Sequence, residues 1–285
     1  MKAGMIGLGA MGVGMAKNIA KAGYLAGVYN RTKAKAQSLA EELNVIVFEQ
    51  PADLAANVDI VLICVSADQD VLAMVEAIAL TVKPGTVVVD MSTVSSDTAK
   101  QAAAMLAEKR AFFLDAPVSG GVEGAKNGTL AMMIGGDSAA LEQARPVLAT
   151  MTRCIMHMGA GGSGQATKAV NQIMAAGINQ AVTEALAFAR TQGLPMEKVI
   201  EVISGGASGN WFLQHRGATM TQDSFAPGFK LALHHKDLLI CQTMAKQSGA
   251  STTLVDMTIA DYQRLMAEGF GDEDISALYR LKAID

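Results

Sequence analysis

Lys168 stands in the stretch GQATKAVNQ, residues 164–172, with Asn171 and Gln172 three and four positions on. A lysine that only solvates a helix usually has acidic neighbours at those spacings, whereas this one has carboxamides. Such amides can orient an amine or a substrate hydroxyl without trapping the ammonium in a salt bridge, which suits a proton donor and acceptor. Lys168 is expected three to four residues into its helix, where the positive end of the helix dipole disfavours a second positive charge. Two other segments carry small or polar groups in patterns that can hold a ligand: IGLGAMG near the start and DAPVSGG at 115–121.

Gly7-Leu8-Gly9-Ala10-Met11-Gly12 is a G-x-G-x-x-G placed directly after the first strand and at the opening of the first helix. Gly7 permits a tight turn, Gly9 lets a pyrophosphate approach the backbone, and Gly12 lets helix and sheet pack closely. The helix N-terminus adds N–H groups for the phosphates. The end of the second strand reads Asn30-Arg31-Thr32, where an NAD site would place Asp or Glu for the ribose 2′-hydroxyl. Without that carboxylate, and with Arg31 to fork onto a 2′-phosphate while Asn30 and Thr32 donate, NADP(H) is preferred and NAD(H) remains possible. Thr32 also serves as the N-cap of the next helix. Cys64 and Val65, closing the strand DIVLICV, are placed beside the same cofactor. In DAPVSGG the Ser119 hydroxyl and the N–H groups around Gly120 and Gly121 form either a carboxylate receptor or an ordinary turn.

The elements that must position these groups follow from hydrophobic periodicity. AGMIGL, LAGVY, VIVF, DIVLICV and TVVVD are short apolar runs, too short for typical helices, and most are continuously apolar as strands covered on both faces should be. Helical patterns separate them, the first closed by Gly23, and FFLDAPV, TLAMMIGG and CIMHMG extend the sheet. This predicts an α/β Rossmann-like doubly wound parallel sheet. After Gly164 strand patterns cease, and roughly 28 residues of unbroken helix, ~40 Å long, lead into amphipathic helices. The expected organisation is a dinucleotide-binding domain over 1–163 and an all-α substrate and oligomerisation domain over 164–285, joined by that long helix.

Composition excludes several functions. The 285 residues are 51% hydrophobic and 18% charged, with net charge −4 and no basic block, which argues against nucleic acid or an anionic membrane surface as partner. No run of about 20 apolar residues spans a bilayer. Cys64, Cys154 and Cys241 are scattered through apolar runs and read as buried reduced thiols of a cytoplasmic protein, with no metal site. Methionines 5, 11, 15, 132 and 133 read as packing residues. Asp90 and Asp115 end strands and read as turn-forming, and His234 and His235 as buried or surface groups ahead of catalysis. Trp211, the sole tryptophan, either lines a substrate pocket or packs in the core.

In one order, IGLGAMG, DAPVSGG, GSGQATKAVNQ and FKLALHHKDL resemble the β-hydroxyacid dehydrogenase family, which includes 3-hydroxyisobutyrate dehydrogenases, tartronate semialdehyde reductases and glyoxylate/succinic semialdehyde reductases. The resemblance spans essentially the whole chain. It implies hydride transfer between NADP(H) and a short semialdehyde or β-hydroxyacid bearing a carboxylate, in a homodimer or homotetramer. It makes Lys168 the catalytic lysine, puts Ser119, Gly120 and Gly121 at the substrate carboxylate, and sets Asn171 and Gln172 beside the reacting group. Thr93 and Lys236 would touch the cofactor, with Asp237 supporting the lysines. The chain departs from the family where many members have Asn in place of Gln172, and in a shorter loop over 76–85. Two rival readings are an NAD-dependent 3-hydroxyisobutyrate or L-serine-type dehydrogenase, and a non-catalytic dinucleotide-binding protein, which would have no need of Lys168.

Overall fold

The computed structural model describes residues 1–283. Its first half alternates strand and helix: β1 (Ala3–Ile6), α1 (Ala10–Lys21), β2 (Leu25–Tyr29), α2 (Lys33–Leu43), β3 (Ile46–Val47), α3 (Pro51–Asn57), β4 (Ile60–Ile63), α4 (Asp68–Ile78), β5 (Val87–Asp90), α5 (Ser96–Ala107) and β6 (Phe112–Asp115). These six strands pair in the order β3-β2-β1-β4-β5-β6, all parallel. The order reverses direction beside β1, and that switch point is where a doubly wound sheet opens a crevice at the carboxyl ends of its strands.

The continuous apolar runs have a direct cause. Met5, Leu62, Val89 and Leu114 bury on one face of the sheet. Ile6, Ile63, Val88 and Phe113 bury on the other. With helices on both faces, every strand position needs an apolar side chain.

Beyond β6 the sheet is no longer wholly parallel. β7 (Val118–Ser119) and α6 (Gly121–Asn127) precede β8 (Leu130–Gly135), which runs antiparallel to both β6 and β7. Ala116 and Pro117 divide the expected FFLDAPV strand, because proline has no N–H for the ladder. The return through a seven-residue helix is too short for a parallel crossover. α7 (Ser138–Leu148) then leads to β9 (Thr152–Gly159), parallel to β8 and solvent-exposed along most of its length. Cys154 lies on β9 and is exposed, and Cys64 is half-buried, so of the three thiols only Cys241 is buried as the sequence suggested.

Helix α8 runs over Ser163–Thr191. The remaining helices are α9 (Met196–Ser204), α10 (Trp211–Thr221), α11 (Leu231–Ser248), α12 (Thr253–Ala267) and the short α13 (Tyr279–Lys282), with two 3₁₀ turns ahead of α13. By contacts the chain divides into two compact units, Met1–Lys168 and the part from Ala169 onward. The second has its own core, in which Leu186, Phe212, Leu238, Tyr262 and Tyr279 are buried together. Among the described residues no helix is long and apolar enough to cross a membrane.

Candidate active site

The turn from β1 to α1 meets the requirements of a pyrophosphate cradle. Gly7 sits at φ +93°, and a Cβ there would collide with the Cys64 carbonyl oxygen. A Cβ on Gly12 would strike the Gly7 carbonyl, so both glycines are demanded by the protein's own backbone. Gly9 is different: a Cβ there would meet no atom within 4 Å. Space is therefore kept open at the one glycine where a dinucleotide's phosphates approach. Ala10 and Met11 begin α1 behind the N-cap Gly9, and first-turn amides have no acceptor inside their helix. The residues fit an NAD(P) cofactor.

The strand ends beside this turn are tied to it. Leu8 is buried, and its N–H donates to Asn30 Oδ1 at 2.9 Å, while Asn30 Nδ2 donates to the Thr32 carbonyl. Asn30 thus braces the glycine turn through both ends of its amide. Thr32 occupies the N-cap position of α2, but its side chain makes no capping bond. Arg31 is 87% exposed and pairs with Asp70 at 3.3 Å. Lys33, which the sequence reading passed over, pairs with Glu49 at 2.7 Å and lines a cleft of about 180 Å³ together with Tyr29, Asn30, Arg31 and Phe48. Its signal was a second cationic residue directly following Asn30-Arg31-Thr32.

On the other side of β1, the Cys64 N–H donates to the Ile6 carbonyl, and the Val65 N–H donates to Ser92 Oγ at 2.9 Å. Thr93 follows at the end of β5, half-buried. Asp90 and Asp115 sit opposite each other on β5 and β6, both fully buried. Asp90 accepts from the Ser92 N–H, yet its Oδ2 has no hydrogen-bond partner among the described residues. Burial pushes its carboxyl up to about 7, with Ser92 opposing and the nearby Asp115 and Asp68 adding to the rise. Burial also raises Asp115, although it accepts from the N–H groups of Gly162 (2.8 Å) and Gln165 (2.9 Å). Both aspartates are buried anchors of strand ends rather than simple turn formers, and Asp115 is the seat of α8.

At the substrate end, Gly120 and Gly121 have φ of +133° and +63°, which L side chains rarely adopt. Ser119 is half-buried beside them. The turn is held from behind by Asn18, whose Nδ2 donates to the Ala125 carbonyl at 2.8 Å, and by Gly14, whose lack of a Cβ lets α1 approach α6. Lys168, 7% exposed, donates from Nζ to the Val118 carbonyl at 3.0 Å. The amine thus lies on the residue that precedes Ser119. Because α8 begins at Ser163, Lys168 is in its second turn, beyond the first turn where the dipole acts most strongly. The dipole is therefore a smaller influence on this amine than the sequence suggested.

Within the second unit, Asn171 donates to Gln172 Oε1 at 2.8 Å, and Gln172 Nε2 donates to Asp237 Oδ2 at 2.7 Å. Gln172 is 1% exposed, and both ends of its amide are engaged. Asp237 also pairs with Lys236 at 2.9 Å. His234 is buried between the Tyr262 hydroxyl and the Gln172 carbonyl, a structural position. His235 has a buried Nε2 without a hydrogen-bond partner among the described residues, and burial holds its pKa below the usual value. Trp211 is 60% exposed, stacks on His215 and lies near Arg216, so it is not a core residue. No cluster of metal-ligating side chains occurs among the described residues.

Comparison with known proteins agrees with this architecture. Residues 2–159 match the family model of the NAD binding domain of 6-phosphogluconate dehydrogenase. Residues 162–282 match that of the NAD-binding domain of NADP-dependent 3-hydroxyisobutyrate dehydrogenase. An uncharacterized oxidoreductase of Shewanella frigidimarina is 39% identical, covering 97% of this chain and 96% of the relative. The NAD-dependent L-serine dehydrogenase of Pseudomonas aeruginosa is 33% identical over 97% of this chain and 96% of its own. The solved structure of Mycobacterium tuberculosis 3-hydroxyisobutyrate dehydrogenase with L-serine is 32% identical, with a TM-score of 0.90 over 98% of both chains. A cradle whose glycines are spaced for phosphates thus heads a chain matched along nearly its full length by hydroxyacid dehydrogenases, and the chain belongs to the β-hydroxyacid dehydrogenase family, as an NAD(P)-dependent oxidoreductase.

Proposed function

We propose that the enzyme moves a hydride between NADP(H) and a short semialdehyde or β-hydroxyacid bearing a carboxylate, such as succinic, tartronic or methylmalonic semialdehyde or glyoxylate. The observation that carries this reading is the 3.0 Å bond from Lys168 Nζ to the carbonyl of Val118, next to the Ser119-Gly120-Gly121 turn. It sets a proton donor one residue from a backbone suited to a carboxylate. When bound, the dinucleotide supplies or accepts the hydride. Gly7 to Gly12 would hold its pyrophosphate, Cys64, Val65 and Thr93 would line its path, Arg31 and Thr32 would meet the 2′-phosphate with Lys33 added, and the family resemblance adds Lys236 as a cofactor contact. In the reducing direction Lys168 passes a proton to the carbonyl oxygen as negative charge develops there, and it recovers a proton in the reverse direction. Asn171, steadied by Gln172, orients the reacting oxygen, and Trp211 borders the substrate. The absence of Asp or Glu from 30–32 supports NADP(H).

A second reading, NAD-linked oxidation of 3-hydroxyisobutyrate or an L-serine-like acid, draws support from Asp70. This carboxylate already holds Arg31, and Asn30 is committed to Leu8. Relatives named for L-serine and 3-hydroxyisobutyrate favour the same alternative. Steady-state assays with NADPH and NADH, in both directions against the four aldehydes, 3-hydroxyisobutyrate and L-serine, decide between the two. NADPH with an aldehyde is the expected best pair; a strong NADH or NAD preference rejects the assignment of Arg31 and Thr32.

A further inference from the structure

Three residues before Lys168 on α8 stands Gln165, 1% exposed and assigned no part in the chemistry above. Its Nε2 donates to the Ser92 carbonyl at 2.8 Å, and its Oε1 accepts from the Val94 N–H at 3.2 Å. One carboxamide therefore grips the backbone on both sides of Thr93. Only a group that donates and accepts at the same reach can do this, and the carbonyl on one side and N–H on the other dictate which way the amide points. Its own N–H is held by Asp115, so the side chain extends from a fixed point. A surface or purely space-filling residue needs none of these bonds.

The strand order gives the grip a consequence. The β2 end carries the adenosine-side residues and the β1–α1 turn the pyrophosphate, so the nicotinamide half of a dinucleotide extends over the ends of β4 and β5, where Thr93 lies. Lys168, one turn further along α8, holds the Val118 carbonyl beside the Ser119 turn. Consecutive turns of one helix thus fasten the cofactor-side loop and the substrate-side loop. We infer that Gln165 is a positioning residue: it sets the Thr93 backbone against the nicotinamide half of the cofactor and fixes that surface relative to the Lys168 amine. This rests on the reading in which Thr93 and Lys168 serve cofactor and substrate.

Calorimetric binding of NADPH, NADH, ADP-ribose and 2′-phospho-ADP-ribose tests it without knowledge of the substrate, since the last two lack nicotinamide. Gln165→Met keeps the volume and leaves the backbone bond to Asp115, and its fold is verified by circular dichroism. It removes both side-chain bonds to the loop and is expected to weaken NADPH and NADH about fivefold, the worth of one net hydrogen bond between that loop and the cofactor, and to leave both ADP-ribose compounds unchanged. Unchanged dinucleotide affinity, or equal losses for all four ligands, overturns the inference. Gln165→Glu provides a second variant. Its carboxylate still accepts from Val94 but repels the Ser92 carbonyl, and protonation restores the donor. The dinucleotide affinity of this variant relative to the parent should therefore recover as pH falls from about 8 to about 6, burial having raised the new carboxyl. Asp115, Asp90, Asp68 and Lys168 also face this region and are common to both proteins, so the ratio isolates residue 165. A ratio flat with pH counts against the inference. Thr93→Val removes only the hydroxyl and keeps the backbone: if it leaves NADPH binding intact while Gln165→Met weakens it, the role of the Thr93 hydroxyl fails and the backbone positioning by Gln165 stands.

Discussion

Two of the three glycines in the β1–α1 turn are required by protein atoms and one by none, so substitutions there separate folding from binding. Gly7→Ala and Gly12→Ala place a Cβ against the Cys64 and Gly7 carbonyls and should lower thermal stability by several degrees or prevent folding. Gly9→Ala should leave the melting temperature near that of the parent while weakening NADPH and NADH about tenfold or more, read by melting curves and titration side by side. Lys168→Ala should retain cofactor binding and lose roughly 10²- to 10⁴-fold in turnover, the usual contribution of a positioned acid–base group; persistent turnover would remove the lysine from the mechanism. At this scale the sequence revealed the glycine spacing and the lysine with its amides, because each depends on neighbours within one turn or helix. It hid the commitment of Asn30 to Leu8, 22 positions away, and of Gln172 to Asp237, 65 positions away. No local pattern announces which partner a polar side chain will meet once the chain folds.

Among the elements, the strand ends store a titration. Asp90 is pushed up to about 7 by burial, so the fold favours its neutral form. Stability from this group is full below about pH 4, the ordinary carboxylate range, and is lost as pH rises toward 7; Asp115, also raised, acts in the same direction. Asp90→Asn should flatten that slope, and its advantage over the parent should grow between pH 5 and pH 8 by on the order of a few kcal/mol, measured by denaturant unfolding at both pH values. The parallel strands were legible because burial on both faces imposes unbroken apolar runs. The antiparallel turn-back at β8 was not, since β8 is as apolar as its neighbours and direction leaves no mark on composition. The start of α8 at Ser163 was misplaced by a residue, enough to overstate the helix dipole at Lys168.

For the whole molecule, large apolar side chains lie in solvent on several helices of the second unit. Met174 and Phe188 on α8 are 61% and 63% exposed, and Val202 on α9 is 72% exposed. If copies of the chain associate, these side chains are the ones expected to become covered. A homodimer or homotetramer is the expected state, measured by light scattering coupled to size exclusion; a strict monomer at micromolar concentration would refute it, and Phe188→Glu should shift the equilibrium toward smaller species. The expectation of oligomers came from the family resemblance alone, because exposure is invisible until the faces of each helix are known. The carboxylate of Asp115 has one more consequence. It bolts the end of β6 to Gly162, just ahead of α8, and to Gln165 in its first turn, across 47 and 50 positions of chain. The intervening stretch leaves and returns to a single fixed point, so its outer turns can lengthen or shorten in descendants at little entropic cost while the lysine stays where it is.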